Sequence, residues 1–174
     1  MMNQISDLQF KLVPEQEYNT FRQDVKDIFS IAVNDTFGHS DKEVITDEAI
    51  NHSLFNSNAE VYHVYENGEK VAGVVVVIDK ETHRNKLDIL FVYPNVHSKG
   101  LGGKIWTAIE NRYPETKVWE LVTPYFEKRN IHFYVNKLGF QIVEFFNEYH
   151  QDPKFIDSEQ PTFQKEFFRF EKVF

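Results

Sequence analysis

The spacing of apolar residues along the chain first predicts a strand and then two helices. Residues 8–13 form a short β-rich run that ends at Pro14. Between residues 15 and 33, apolar side chains recur at steps of three and four, which predicts an amphipathic helix; they are Tyr18, Phe21, Val25, Ile28, Phe29 and Ala32. A second, shorter helix is predicted from Asp47, taken as its cap, to about residue 55.

The pattern then changes to that of an antiparallel sheet. Residues 61–65 and 70–79 are β-rich and are joined through Asn67 and Gly68, a pair that favours a tight hairpin because both residues accept positive φ. A further strand is predicted over residues 86–93, where Pro94 ends it because proline cannot donate to a strand ladder.

The remaining segments alternate between helix and strand. Helices are predicted over residues 98–113 and 127–138, with Gly139 ending the second, and a strand over 117–123 lies between them. Two final strands follow, over residues 140–146 and 167–174. A strand, helix, strand succession implies a right-handed crossover and a parallel pair. The predicted fold class is therefore α+β, with a mixed, largely antiparallel sheet.

Composition and charge narrow the classes of function. The chain has 174 residues, 17 of them Phe, and no cysteine, which excludes disulfides, a thiolate nucleophile and a cysteine-type zinc site. Its net charge of −8 argues against a nucleic-acid partner. The first residues have no leader pattern, and the longest aliphatic run, residues 71–78, is too short to span a membrane. We expect a soluble cytoplasmic protein without a membrane partner.

Three of the seven glycines, Gly100, Gly102 and Gly103, lie between a predicted strand and a predicted helix. Glycines at a helix N-terminus allow close approach to a ligand, and the free N–H groups there attract anions. Lys99 and Lys104 add positive charge at the same place. The segment is thus a candidate phosphate cradle, although a turn kept only for tight packing would have the same composition.

Two stretches resemble motifs of the GNAT N-acetyltransferase superfamily. Residues 92–103 (VYPNVHSKGLGG) resemble its acyl-coenzyme A motif, and residues 130–140 (NIHFYVNKLGF) resemble its second motif, in the same order. The resemblance implies a GNAT-like sheet of about seven strands with a parallel pair at a central splay and about four flanking helices. It also implies a single domain over residues 1–174, with acceptor-side helices at about 15–55, an acyl-CoA core at about 60–147 and a C-terminal strand at about 163–174.

The resemblance implies acetyl-CoA as cosubstrate and assigns residues to its binding. His97 departs from the family, which usually has Gln or Arg there, so its side-chain contact with the pyrophosphate is the weakest of these assignments. The predicted cofactor-binding residues are Phe91, Val92, His97, Ser98, Lys99, Gly100, Leu101, Gly102, Gly103, Lys104, Asn130, Phe133 and Tyr134.

The implied reaction is direct transfer of an acetyl group from acetyl-CoA to an amine of a small molecule or peptide. A backbone N–H near Val92 would stabilise the oxyanion, and the Tyr134 phenol would protonate the leaving thiolate; a packed tyrosine bonded to backbone is the structural alternative. The base that takes the amine proton is Asp88, Glu120 or a water relay. Only one face of a strand is expected to meet the cleft, so strand parity should decide between the two carboxylates.

Two other functions remain open at this point. One is N-terminal acetylation of ribosomal proteins, and the other is a noncatalytic acyl-CoA sensor, which would not need a phenol at position 134. The seven histidines have no paired metal-ligand spacing, so no metal is predicted. The aromatic strand 167–174 could pair with a second copy if its edge is bare, which would give a homodimer.

Overall fold

A computed structural model describes residues 7–38, 45–96, 100–153 and 166–174 of the chain. Seven strands form one sheet in the order β1-β2-β3-β4-β5-β7-β6. This agrees with the predicted count and with the mixed α+β class. The strands are β1 (Leu8–Leu12), β2 (Ala59–Glu66), β3 (Glu69–Val77), β4 (Arg84–Val92), β5 (Val118–Pro124), β6 (Gln141–Phe146) and β7 (Phe167–Val173).

The first four strands form an antiparallel meander. The β2–β3 hairpin turns at Asn67 and Gly68, whose φ angles of 51° and 84° are both positive, as the sequence predicts. Strand β1 adds to the free edge of β2, where Leu8 lies opposite Glu66 and Leu12 opposite Tyr62. Strand β4 pairs with β3 along most of its length.

The second half of the sheet is joined to the first by one parallel pair. Strands β4 and β5 are parallel, which confirms the predicted crossover, and β7 lies between β5 and β6 with antiparallel pairing to both. Both edges of β7 are therefore paired, so the condition that the sequence analysis set for dimerisation through this strand is not met. The strand at this end of the sheet is β6 instead.

Four helices cover the sheet: α1 (Tyr18–Phe37), α2 (Asp47–Leu54), α3 (Leu101–Arg112) and α4 (Lys128–His132). Thr46, and not Asp47, caps α2, since its hydroxyl accepts from the Ala49 N–H at 3.1 Å. The single helix predicted over 127–138 is wrong in part, because α4 gives way to a π-helical turn at Phe133–Lys137. Gly139, with φ of +82°, ends that segment as predicted.

The core forms on both faces of the sheet. Helices α3 and α4 cover one face, where the largest buried side chains are Trp106, Trp119, Tyr134, Phe140 and Phe170. Helices α1 and α2 cover the other, around Phe21, Val25, Ile50, Leu54 and Phe91. We call these the α3 face and the α1 face. Strand residues alternate between them, with Val74 and Val76 on the α3 face and Val75 on the α1 face.

Candidate active site

The two central strands diverge and leave an opening through the sheet. Strands β4 and β5 are paired over only three residues each, from Arg84 opposite Val118 to Lys86 opposite Glu120. Beyond Lys86 a cavity of about 2170 Å³ separates them, lined by residues of α1 and α2 as well as by residues of α3 and α4. The cavity therefore reaches both faces of the sheet, so ligands entering from opposite faces can meet between the strands.

The free edge of β4 presents backbone groups to this cavity. The Tyr93 N–H donates to the carbonyl of Val71, on the neighbouring strand β3, at 2.9 Å. Because hydrogen-bonded and non-bonded positions alternate in an antiparallel pair, Phe91 also bonds toward β3, whereas the N–H and C=O groups of Leu90 and Val92 point away from it. They point toward the side from which β5 has separated. Extended backbone with free donors and acceptors can pair with a linear amide-bearing ligand.

The glycine segment forms the N-terminus of α3. Gly100 is the N-cap, in the left-handed region at φ of 72°, and no side chain caps the helix. The first backbone bond of the helix runs from the Lys104 N–H to the Gly100 carbonyl at 3.1 Å. The N–H groups of Leu101, Gly102 and Gly103 thus precede the first intrahelical donor and have no acceptor within the helix. A Cβ on Gly103 would meet no atom within 4 Å, so there is open space over this end of the helix.

The other predicted donor-site residues differ in what they can contact. His97, Ser98 and Lys99 lie outside the described residues. Lys104 lines the cavity, and its ammonium is 3.8 Å from a carboxylate oxygen of Glu66. Leu101 is buried in the core of the α3 face. The Phe91 ring is buried on the α1 face against Phe21, and its backbone bonds toward β3, so Phe91 offers fewer groups to a ligand than Leu90 and Val92 do.

Helix α4 and the π-helical turn after it form the opposite wall. Asn130 is exposed and lines the cavity together with Phe133 and Tyr134. The Phe133 ring lies against α3 at Gly102, where an added Cβ would be 3.0 Å from the ring. A side chain at position 102 would therefore push on the Phe133 ring of the π-helical turn. A π-helical turn is rare in helices and occurs frequently at functional sites.

Tyr134 combines a buried ring with an unpartnered hydroxyl. The residue is 8% exposed, and its ring contacts Phe133, Phe140 and Phe170. Its hydroxyl has no hydrogen-bond partner within the described part of the chain, yet the residue lines the cavity. Burial raises the pKa of Tyr134 above its ordinary value, so the phenol stays protonated at neutral pH. A protonated hydroxyl that the protein does not itself use is available to a ligand.

Asp88 lies at a β-bulge in β4. Val75 pairs with Ile89 and Val76 with Leu87, so Asp88 has no partner residue on β3. Residues two apart in a regular strand share a face, but across the bulge Leu87 packs on the α3 face and Ile89 on the α1 face. The Asp88 carboxylate lines the cavity, is exposed, and has no hydrogen bond or ion pair among the described residues.

Glu120, the other predicted carboxylate, also lines the cavity. The prediction that strand parity would admit only one of the two is therefore wrong. Glu120 differs from Asp88 in having a cationic neighbour, because Nη1 of Arg169 is 3.6 Å from its Oε1. The same guanidinium is bound more closely by Glu144 at 2.8 Å and Glu171 at 2.7 Å. The pKa of Glu144 is lowered by its bond to His150 and then by that to Arg169, and the pKa of Glu171 is lowered first by its bond to Arg169.

Glu127 is a cavity carboxyl that the sequence analysis did not select. It immediately precedes α4 and is half-buried, with no hydrogen bond or ion pair in the described ranges. Burial raises its pKa, and the nearby Arg129 opposes that shift in part. Its position three residues before Asn130, on the same face of a helix, is the sequence signal that could have indicated it.

Two general findings concern the parts of the chain that are described. There, no group of three or more His, Asp or Glu side chains is arranged to hold a metal ion. None of the helices in these ranges is long and apolar enough to cross a membrane. The predictions of a metal-free and cytoplasmic protein remain predictions.

Comparison with known proteins identifies the class to which this fold and cleft belong. The profile of the acetyltransferase (GNAT) family matches residues 19–140. YrkN, an uncharacterized protein of Bacillus subtilis, is 43% identical over 169 residues, which cover 94% of this chain and 91% of that protein.

Solved structures show the same fold at low sequence identity. The ribosomal-protein-S18-alanine N-acetyltransferase of Escherichia coli has a TM-score of 0.65 at 11% identity, with 96% of this chain and 94% of that chain covered. The spermidine N-acetyltransferase of Vibrio cholerae, solved with CoA and spermine, has a TM-score of 0.64 at 10% identity, with 95% of each chain covered.

The fold and the splayed sheet are those of a GNAT acyltransferase. The chain belongs to the GNAT acetyltransferase family, as the family match over most of its length establishes. The family resemblance drawn from residues 92–103 and 130–140 is thereby confirmed.

Proposed function

We propose that the protein is an N-acetyltransferase that moves an acetyl group from acetyl-CoA to the amine of a small molecule or peptide, by direct attack in a ternary complex. The observation that carries this proposal is the opening between β4 and β5, which joins a donor site on the α3 face to an acceptor site on the α1 face. Reactants held together in such an opening need no covalent enzyme intermediate, and the chain has no cysteine to form a thioester.

The donor half fits a CoA molecule. At the N-terminus of α3, the N–H groups of the three residues after Gly100 have no acceptor in the described part of the chain, which suits a pyrophosphate, and Lys104 adds a positive charge there. The free backbone groups of Leu90 and Val92 suit the amides of a pantetheine arm, with Asn130 on the opposite wall. His97, Ser98 and Lys99 complete the proposed cradle. Bound acetyl-CoA supplies the activated acetyl thioester.

Two groups of this chain are placed to stabilise charge during transfer. The Val92 N–H points into the gap and can donate to an oxygen that gains negative charge. The Tyr134 hydroxyl, protonated and unpartnered among the described residues, can donate a proton to a departing thiolate. The thiol that forms has an ordinary pKa of about 8.5, below that of a phenol, so the hydroxyl stabilises the sulfur as negative charge builds up, transfers its proton as the C–S bond breaks, and must then regain a proton from water.

For the base we propose Asp88 over Glu120. An attacking ammonium must first lose a proton, and a free carboxylate can accept it directly or through a water. Asp88 has no partner within the described ranges, whereas Glu120 shares Arg169 with two other carboxylates. Because the Glu120 carboxylate already lies against a guanidinium, it is less free than Asp88 to contact an incoming amine. Glu120 then serves to keep Arg169 in place.

The two alternative functions make different use of the same site. A noncatalytic sensor needs the cradle but not the phenol, and the Tyr134 hydroxyl, which has no partner among the described residues and sits on a largely buried side chain, favours catalysis because such a placement costs stability. N-terminal acetylation of a protein needs an acceptor half that admits a peptide backbone. A test with acceptors of both kinds separates these functions.

The proposal is tested by release of free thiol from acetyl-CoA in the presence of alkyl amines, diamines and peptides with free N-termini, alongside calorimetry of CoA binding. We expect saturable turnover with at least one class of amine. Tight CoA binding without turnover on any acceptor would support the sensor, and turnover on peptides alone would support N-terminal acetylation.

The base assignment has its own test. Asp88→Asn should lower kcat by about 100-fold, within the usual range for general base catalysis, and leave CoA affinity nearly unchanged. Glu120→Gln should have a much smaller effect. Asp35→Asn is a matched control, because Asp35 is exposed on α1 and does not line the cavity. Full activity of Asp88→Asn would rule out this assignment.

A further inference from the structure

Tyr93 connects three parts of the molecule at the point where β4 ends. Its N–H donates to the Val71 carbonyl at 2.9 Å, and its own carbonyl accepts from the Val96 N–H at 3.1 Å, which closes the turn that follows the strand. Its hydroxyl donates to Oδ2 of Asp24, on helix α1, at 2.6 Å. No sequence motif indicates this last contact, because the two residues are far apart in the chain.

The hydroxyl contact has the features of a strong bond. A short O–H···O⁻ contact in a partly buried position is charge-assisted and stronger than a neutral hydrogen bond. Burial, followed by the bond to Asp24, raises the pKa of Tyr93, so the hydroxyl remains a donor. The Tyr93 ring packs edge-on against Phe91, with centroids 5.3 Å apart, which limits where the hydroxyl can point. The bond therefore holds helix and strand at one separation.

What this bond joins bears on the proposed reaction. Val92, the proposed oxyanion donor, immediately precedes Tyr93 and has no pairing partner on β5. Ile28, one helical turn after Asp24, lines the acceptor half of the cavity. The Tyr93–Asp24 bond thus links the strand end that would contact the donor to the helix that would contact the acceptor.

We propose that Tyr93 is a positioning residue, whose bond to Asp24 fixes the Val92 N–H relative to the acceptor wall formed by α1. This inference rests on the proposed function, since it assigns a purpose to the alignment of the two halves. It predicts that loss of the bond slows the chemical step far more than it weakens CoA binding, because the pyrophosphate cradle lies on α3 and only the pantetheine arm contacts β4.

The test is a set of variants measured for kcat, for KM of acetyl-CoA and of the amine, and for CoA affinity. Tyr93→Phe and Asp24→Ala should each lower kcat by about ten-fold, as expected for a small misplacement of reacting groups, with KM for acetyl-CoA nearly unchanged. The double variant should be no slower than the slower single variant, because both remove one bond. Asp24→Asn keeps an acceptor oxygen and should restore about half of the wild-type kcat.

A second measurement does not depend on turnover. In CoA-loaded protein, amide hydrogen exchange over residues 88–96 should increase in Tyr93→Phe and not in Tyr149→Phe, a control on an exposed tyrosine outside the cavity. Unchanged exchange in that segment, or a fall in CoA affinity parallel to kcat, would overturn the inference. Losses that multiply in the double variant would also overturn it. If the wild type acetylates no amine, the proposed function fails, while the exchange experiment still decides whether the bond positions β4.

Discussion

Replacing Tyr134 with phenylalanine should make the protein more stable and less active. The hydroxyl lies in an apolar environment of three phenylalanine rings, on a residue that is 8% exposed, and has no hydrogen-bond partner within the described part of the chain. The hydroxyl oxygen is not among the fully buried polar atoms that lack a partner, so its hydration in the folded protein is limited to the water that the cavity admits. Phenylalanine fills the same space and needs no such hydration.

The size of the effect follows from this environment. Leaving a buried polar group unsatisfied costs about 1–3 kcal/mol. Because Tyr134 lines the cavity and water can reach part of the group, we expect the lower end, about 1 kcal/mol gained in the free energy of unfolding. For a chain of this length that corresponds to a rise in Tm of about 2–4 °C. Loss of the proposed proton donor should meanwhile lower kcat by about 100-fold or more.

Tyr113 provides the matched control. Its hydroxyl is hydrogen-bonded to Glu60 and to Tyr62, and the residue does not line the cavity. Tyr113→Phe should therefore lower the free energy of unfolding by about 1 kcal/mol, the usual net value of such a bond, and leave kcat unchanged. Urea unfolding monitored by fluorescence and a thiol-release assay measure the two quantities on the same preparations.

The distinctive result is that the free energy of unfolding rises in Tyr134→Phe and falls in Tyr113→Phe. If Tyr134→Phe unfolds at lower urea concentration than wild type, the hydroxyl has a stabilising partner and the reasoning about its burial is wrong. If the variant retains full kcat across the pH range while CoA binding is unchanged, the hydroxyl does not donate the proton. Either result would remove the main support for catalysis over simple acyl-CoA binding.

Three further predictions concern the walls of the cleft. Gly102→Leu should lower the free energy of unfolding by about 1–3 kcal/mol, because the new side chain meets the Phe133 ring, whereas Gly103→Leu extends into open space and should not lower it. Glu127→Gln should gain stability over wild type as the pH rises from about 4 to 7 in urea titrations, since burial raises the carboxyl pKa in the folded state and its contribution is lost on ionisation. Lys104→Gln should weaken CoA binding up to about five-fold and reduce its salt dependence in calorimetry.

Each of these three has an outcome that would contradict it. Equal stability of the two leucine variants would mean that Phe133 moves aside freely. A pH-independent difference between Glu127→Gln and wild type would mean that the carboxyl is solvated in the folded protein. CoA affinity of Lys104→Gln equal to that of wild type at low salt would place the phosphates away from this lysine.

Local chemistry is why much of the fold could be predicted from the sequence. Asn67 and Gly68 adopt the positive φ angles that the hairpin requires, and Gly139 adopts the left-handed conformation that ends the second helical segment. Pro14 and Pro94 follow strands that end next to them. These features depend on a few neighbouring residues, which is why the pattern alone suffices to locate them.

The contacts that define the site depend on pairing between distant segments. The bond between Tyr93 and Asp24, and the contact between Arg169 and Glu120, join residues from different elements and leave no local pattern. The change from α-helical to π-helical geometry at Phe133–Lys137 likewise has no signal in the local spacing of apolar residues. The sequence predicts which residues belong to the site motifs, but not the residues with which they form hydrogen bonds or ion pairs.

The bulge at Asp88 shows how one such contact alters a functional assignment. Counting along an ideal strand puts every second residue on one face, so Asp88 would have to share a face with Leu90. Val75 pairs with Ile89 but Val76 pairs with Leu87, so the register shifts by one residue at Asp88 and the alternation of faces along β4 is interrupted there. Asp88 and Glu120 both line the cavity, so the parity of strand positions does not distinguish between them. What distinguishes the two carboxylates is their contacts. Among the described residues the Asp88 carboxylate has no ion pair, whereas Glu120 lies beside Arg169, and the base is therefore assigned from these contacts and not from register.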